Sequence, residues 1–254
     1  MKRIVVTAGA SGIGKAMAET FLQAGASVAI CDIDGVAIAA FADAHSDSIA
    51  VKADVTSEAE MEAFFDQVEA AWQAGPTVLC ANAGTGGQAG AVDTLDLTQW
   101  RSCISVNLDG AFLPIRWAAR HMKSDGEGLI ILTSSTAGLM GYANRTPYAA
   151  AKWGMIGMMK SLAIELGPAG IRVNALCPGM VSGERAERIV KQEAQVSGIS
   201  EEQARQVYSE GVSLRTWVDP EEIAAMAAYL DSPMGRKISG QAIAVDGHTE
   251  TLSR

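Results

Sequence analysis

The chain has 254 residues, 48% of them hydrophobic, with 26 glycines and a formal charge of −9. That length buries the core of one large α/β domain, and the glycine content suits apolar strands joined by tight loops. Lys and Arg form no basic stripe and do not interleave with aromatic residues, which argues against a nucleic-acid partner, and no apolar run reaches the length of a membrane span.

In chain order, Ile4 to Thr7 is expected as a first buried strand. Lys2 and Arg3 precede it, but Gly9, Ser11, Gly12 and Gly14 break the apolar run well short of a secretory core, so a cytoplasmic protein is expected. The strand enters the turn Ala8-Gly9-Ala10-Ser11-Gly12-Ile13-Gly14, and a helical pattern runs from Ile13 to Ala24. A glycine-rich strand-to-helix turn lets backbone N–H groups and the positive end of the helix dipole approach a pyrophosphate, with Gly12 and Gly14 expected to leave room for it. A tight turn without a ligand is the plain alternative. The next strand, Val28 to Cys31, ends on Asp32, where a carboxylate can accept hydrogen bonds from an adenosine ribose and repel a 2'-phosphate. Neither Cys31 nor Ile33 supplies a cation beside it, so NAD is expected rather than NADP, although Lys15 lies just past the turn. Asp32 as the mere start of the turn Asp32-Ile33-Asp34-Gly35 is the alternative.

Further strands are expected at Ser48 to Lys52, Val78 to Ala81, Leu129 to Thr133, Arg172 to Leu176 and Ala242 to Val245. Their alternation with helical segments predicts one doubly wound parallel sheet of about seven strands, helices on both faces, and a ligand outside the carboxyl ends of the strands. Residues 182–215 form a polar, helix-rich insertion. Cys31, Cys80, Cys103 and Cys177 have no metal-ligand or Cys-x-x-Cys spacing, so no metal is expected, and buried, reduced thiols account for them. Trp100, Trp117, Trp153 and Trp217 read as core or subunit contacts.

Tyr148 and Lys152 stand four residues apart in Pro147-Tyr-Ala-Ala-Ala-Lys-Trp153, a spacing that puts both on one helix face. An ammonium beside a phenol favours the phenolate, which suits the pair to proton transfer; taken alone, a Tyr and a Lys on a helix surface usually serve packing and solubility.

Taken together these motifs resemble the short-chain dehydrogenase/reductases with a Tyr-x-x-x-Lys pair, over nearly the whole chain. Thr7 to Gly14 resembles the cofactor loop of that family, Asp54-Val55 its adenine contact, Asn82-Ala83-Gly84 the element closing the fourth strand, and Asn107 its helix asparagine. Ser135, thirteen residues before Tyr148, matches the catalytic serine in preference to Ser134, and Pro178-Gly179 with Val181 completes the cofactor set, which also takes in Gly9, Ser11, Ile13, Asp32 and Ile33. The resemblance implies a Rossmann-type fold, hydride transfer between an alcohol carbon and a nicotinamide, Tyr148 as base, Ser135 as hydrogen-bond donor to the reacting oxygen, Lys152 on the nicotinamide ribose, and both Tyr148 and Lys152 among the cofactor contacts. It also implies Asn107 holding a water in the proton path, residues 182–215 as a substrate lid, and a homotetramer or homodimer. By chemistry alone, Asn107 is equally a polar residue that kinks a helix.

The chain departs from the family pattern at Ala8, in place of the first glycine, at Ala81, in place of an asparagine, and at Gly183, in place of a threonine expected to contact the nicotinamide carboxamide. Asn82 is then expected to hold the loop alone, with Ser182 available to replace the threonine. Arg145, three residues before Tyr148, and Arg185 in the lid are candidate partners for an anionic group on a small polar secondary alcohol such as a polyol, sugar, hydroxy acid or hydroxysulfonate; for Arg145, a solvent-exposed or subunit-contact role is the alternative. Other readings are an NADPH-dependent 3-oxoacyl reductase acting on a carrier-protein or CoA thioester, and a dinucleotide-binding redox sensor.

Overall fold

The computed structural model describes residues 1–252, and the side chains of Arg185 and Val196 lie outside the described residues. Its strands are β1 (Arg3–Thr7), β2 (Ser27–Asp32), β3 (Ile49–Lys52), β4 (Val78–Ala81), β5 (Gly128–Thr133), β6 (Ile171–Pro178) and β7 (Ala242–Val245). They form one sheet in the order β3-β2-β1-β4-β5-β6-β7, every neighbouring pair parallel. Each expected strand is present: β4 and β7 keep their expected bounds, and the others shift by one or two residues at one or both ends.

Successive residues of a strand point to opposite faces, and here both faces are covered. Val5, Leu79, Ala81, Ile130 and Leu132 enter one core with residues of α3 (Glu58–Trp72), α5 (Gly110–Asp125) and α6 (Thr146–Leu166). Ile4, Val6, Cys80, Leu129 and Ile131 enter the other with α1 (Gly12–Gln23), α2 (Gly35–Ala44) and α9 (Pro220–Asp231). The strand order reverses between β1 and β4, which opens a crevice at their carboxyl ends.

Helix α4 (Leu97–Ile104) runs into a π-helical turn, Ser105–Asp109, before α5, so Asn107 does sit where a helix is deformed. The insertion folds into α7 (Glu184–Ser197) and α8 (Glu201–Glu210), tied by an Arg205–Glu187 ion pair and a small core of Val190, Ala194 and Ala204. Val181 bridges Val218, which anchors the insertion to the sheet at both ends. Among the described residues no helix is long and apolar enough to cross a membrane.

Candidate active site

The crevice is walled by the segments that follow β1, β2, β4, β5 and β6, where the expected site residues lie. Thr7 closes β1, and its buried hydroxyl oxygen accepts from the N–H groups of Asn82 and Ala83, both at 3.0 Å, locking the end of β1 to the end of β4. Asn82 Nδ2 donates to the carbonyls of Thr7 and Ala8 at 3.1 and 3.3 Å. Asn82 thus holds the loop while Ala81 is buried in β4. Ala8 has φ 49°, the left-handed region in which glycine is favoured. The family's glycine therefore answers a backbone demand that this chain meets under strain. Ala8→Gly is expected to stabilise the fold by up to about 1 kcal/mol, the relief of strain exceeding glycine's extra unfolded-state entropy. Thermal unfolding of the two proteins checks this, and a lowered Tm would refute it.

Gly12 has φ 50° and open space where a Cβ would stand, as a closely approaching ligand requires, and Ser11 caps α1 without using its side chain. Gly14 differs from expectation: a Cβ there would lie 2.1 Å from the Ala8 carbonyl oxygen and 2.6 Å from Asn82 Nδ2. Its missing side chain makes room for the chain's own loop, not for a ligand. Gly9 is similarly pressed on Ile30, 2.6 Å from a notional Cβ. Ile13 is half-buried beside these glycines.

Asp32 is buried at the end of β2. Its Oδ2 accepts from Ala10 N at 3.2 Å and its Oδ1 from Asp34 N at 3.1 Å, so the carboxylate ties the glycine turn to β2 and also starts the turn into α2. Ile33 beside it is exposed. Asp54 Oδ1 accepts from Thr56 N and Oγ1, both at 2.8 Å, so one oxygen of this expected adenine contact serves the turn into α3; Val55 is buried against Gly110.

At the end of β5, Ser134 and Ser135 divide their roles. Ser134 Oγ donates to the Lys152 carbonyl at 3.0 Å and pins α6 to the sheet. Ser135 Oγ accepts from Ala137 N at 3.1 Å, an arrangement that leaves its proton available for donation. Lys152 is buried; its Nζ donates to the Thr133 carbonyl at 2.8 Å and lies 5.7 Å from the centre of the Tyr148 ring. Asn107 is buried too, with Nδ2 donating to the carbonyls of Thr85 and Cys103 at 3.0 and 2.8 Å. Asn107 Oδ1 and Lys152 Nζ converge on Gly84, 2.8 and 3.1 Å from where its Cβ would stand. The Asn107 Oδ1 and Thr133 Oγ1 atoms are buried without a hydrogen-bond partner, as expected of groups that meet a water or a ligand hydroxyl. Open space at Gly12, orphaned oxygens near Lys152 and a carboxylate at Asp32 fit a dinucleotide lying across the crevice.

Pro178 ends β6, Gly179 presses against Asp246, and Val181 makes the bridge to Val218. Gly183 has φ 123° and ψ −179°, a region open essentially to glycine alone, so the family's threonine does not suit this backbone. Ser182 does not take over simply, because its Oγ donates to Asp219 Oδ1 at 2.6 Å. Arg145 also differs from the solvent-exposed alternative: it is 6% exposed and its Nη2 donates to Gln192 Oε1 of α7 at 3.1 Å. Arg185, the other expected substrate contact, lies outside the described residues. All four cysteines are buried, and burial pushes the Cys31 and Cys80 thiols up to about 12, away from the thiolate that would make them reactive.

A parallel sheet with a glycine turn at its switch point and a Ser, Tyr and Lys set at the adjacent strand end defines an α/β oxidoreductase. A family model described as Enoyl-(Acyl carrier protein) reductase matches residues 7–248. The chain is 35% identical over 247 residues to the cis-4-hydroxycyclohexanecarboxylate dehydrogenase of Sinomonas cyclohexanicum, covering 96% of this chain and 94% of that protein. It is 32% identical over 253 residues to the D-beta-hydroxybutyrate dehydrogenase of Rhizobium meliloti, covering 97% of each. Its fold matches a crystal structure of NAD+-bound xylitol dehydrogenase with a TM-score of 0.90 at 26% identity, covering 96% of this chain and 97% of that one. A 3-ketoacyl-(acyl-carrier-protein) reductase from Brucella melitensis complexed with NADH matches with a TM-score of 0.87 at 27% identity over 98% of each chain. The chain belongs to the short-chain dehydrogenase/reductase family.

Proposed function

We propose that the protein is an NAD-dependent dehydrogenase of a small polar secondary alcohol, interconverting it with its ketone. The observation that carries this reading is the placement of Ser135, Tyr148 and Lys152 at the carboxyl end of β5, beside the crevice that Gly12 and Asp32 open.

Asp32 holds the adenosine ribose, with Ile33, Asp54 and Val55 around the adenine. The turn from Gly9 through Ser11, Gly12 and Ile13 to Gly14 faces the pyrophosphate, while Asn82, Ala83 and Gly84, with Pro178, Gly179 and Val181, line the nicotinamide end. The bound nicotinamide supplies the hydride acceptor. Tyr148 takes the proton of the substrate hydroxyl as that carbon loses its hydride and becomes a carbonyl. Ser135 donates to the same oxygen, stabilising the charge that grows on it. Lys152 holds the ribose, with its ammonium 5.7 Å from the centre of the Tyr148 ring. The orphaned Asn107 Oδ1 receives a water that links Lys152 to solvent. Helices α7 and α8 form the lid.

Names of two relatives, the hydroxycyclohexanecarboxylate and hydroxybutyrate dehydrogenases, favour a hydroxy acid within this class. A second reading, a 3-oxoacyl thioester reductase, is favoured by the likeness to the Brucella reductase, which carries NADH and so is compatible with Asp32. Against it, Arg116, His121 and Lys123 of α5 pair with Glu58, Glu69 and Glu165 and make a poor landing surface for an acidic carrier. Exposed Phe112 and Ile164 on α5 and α6 suit burial between subunits of the expected homotetramer or homodimer.

The test is NADH formation from NAD, and NADPH from NADP, over polyols, sugars, hydroxy acids, hydroxysulfonates and 3-hydroxyacyl thioesters. Turnover with NAD on a polar alcohol is expected. Turnover confined to NADP and thioesters would establish the second reading, and tight NAD binding with no turnover would favour a redox sensor.

A further inference from the structure

Arg145 is a charged side chain withdrawn from water without a charge to meet it. It is 6% exposed, and among the described residues no carboxylate lies within ion-pair distance of it. Its hydrogen bond to Gln192 Oε1 brings a neutral amide oxygen, at 3.1 Å, to a group whose planar fork is matched to a carboxylate. The nearest groups do not supply the missing charge. Tyr142 and Tyr208 share a hydroxyl contact at 3.1 Å within reach of the Arg145 field, but burial pushes both phenols up and keeps them neutral. Glu193, whose negative field also reaches these phenols, accepts from Ser197 Oγ at 2.7 Å on its own helix, but among the described residues it makes no ion pair with Arg145. Burying a guanidinium without an anion is strongly unfavourable, so a bound anion beside Arg145 would be stabilised by it.

Position identifies which ligand. The segment after β4 passes Lys152 Nζ at Gly84, receives Asn107 at the Thr85 carbonyl, and reaches Arg145 Nη1 at Gly86, 3.8 Å from a notional Cβ. Two residues of chain span at most about 7 Å, so the backbone beside the guanidinium lies within roughly one small molecule's length of the backbone beside Lys152. Tyr142, Arg145 and Tyr148 lie on one loop and the helix start it leads into, and Gln192 and Tyr208 come from the lid helices α7 and α8.

We propose that Arg145 is the carboxylate anchor of the substrate, and that the Gln192 amide oxygen stands where that carboxylate binds. The substrate is then a hydroxy acid whose carboxylate displaces the Gln192 amide oxygen, with its carbinol carbon directed at Tyr148 and Ser135. This inference rests on the dehydrogenase reading for its substrate but not for its anion site. It makes Gln192 a specificity-determining residue, because a glutamate there supplies internally the charge that the ligand otherwise brings.

Calorimetric titration of the NAD-loaded protein separates the two. The probes are butyrate and cyclohexanecarboxylate, which carry no hydroxyl to oxidise, each against its amide. The wild type is expected to bind the acids at least about tenfold more tightly than the amides, and Arg145→Gln and Gln192→Glu to lose that preference. Gln192→Glu is further expected to raise Tm, a gain that a misfolded variant cannot show. Equal binding of acids and amides by the wild type, or acid binding unchanged in both variants, overturns the anchor. Carboxylate binding without turnover of any alcohol would sustain the anchor and remove the dehydrogenase reading. Wild-type turnover of cyclohexanol equal to that of 4-hydroxycyclohexanecarboxylate would do the reverse.

Discussion

Tyr148→Phe is expected to lower turnover by about 10²–10⁴-fold while leaving NAD affinity within about twofold, since it removes one proton acceptor and little else. Tyr148 is half-buried on α6 and its ring lies 5.7 Å from Lys152 Nζ; a phenylalanine ring keeps that packing and that cation contact. No other member of the set gives so clean a difference. Lys152 is buried and donates to the Thr133 carbonyl, so truncating it leaves that acceptor unmet and disturbs the end of β5. Ser135 accepts from Ala137 N, so Ser135→Ala removes a turn contact along with the donor. Steady-state rates on the best alcohol, paired with nucleotide titration, make the measurement. Turnover of Tyr148→Phe at the wild-type rate would place the base elsewhere, and loss of NAD binding would make Tyr148 a structural residue of the cofactor site.

The double substitution Asp32→Ser with Ile33→Arg is expected to shift the NAD to NADP preference by about 10³-fold toward NADP, through two separable effects. A hydrogen bond to a charged acceptor contributes about 1.5–3 kcal/mol, so losing the carboxylate weakens NAD by about tenfold or more. Removing its repulsion and adding a guanidinium for the 2'-phosphate raises NADP use by about a hundredfold. Asp32 also accepts from Ala10 and Asp34, and a serine keeps a short acceptor near both. Ile33 is 64% exposed, so an arginine there needs no repacking. Asp32→Asn serves as the control for the charge, because it keeps the shape and one of the two acceptor oxygens, at the cost of an amide NH2 facing the other backbone N–H. Specificity constants with both nucleotides decide the matter: a wild type that already prefers NADP, or a double variant with an unmoved ratio, removes Asp32 from the role given to it.

The framework of this protein was legible because its signals are local. Strand positions follow from short apolar runs bounded by turn residues, and the parallel sheet follows from their alternation with helices. Asp32, Tyr148 and Lys152 could be named because each stands at the end of a strand or one helical turn from its partner, where spacing predicts direction, whereas Ser135 is singled out from Ser134 only by the family resemblance. Thr7 was marked only as the first residue of the glycine motif. Its role, accepting from two N–H groups of the segment after β4, becomes visible only when strands 75 and 76 residues apart lie side by side.

What the sequence determined by itself was therefore the fold class, the order of its elements and the positions of the candidate reacting groups, all encoded in short-range pattern. Tertiary structure alone decided how those groups are engaged. It turned Gly14 from a place for a ligand into a place for the Ala8 carbonyl, and set Ala8 and Gly183 in backbone regions that explain both departures from the family pattern. It also withdrew Arg145 from solvent and brought Gln192 to it from a helix 47 residues away. Burial and close approach depend on which distant segments meet, and no periodicity within one segment records that meeting.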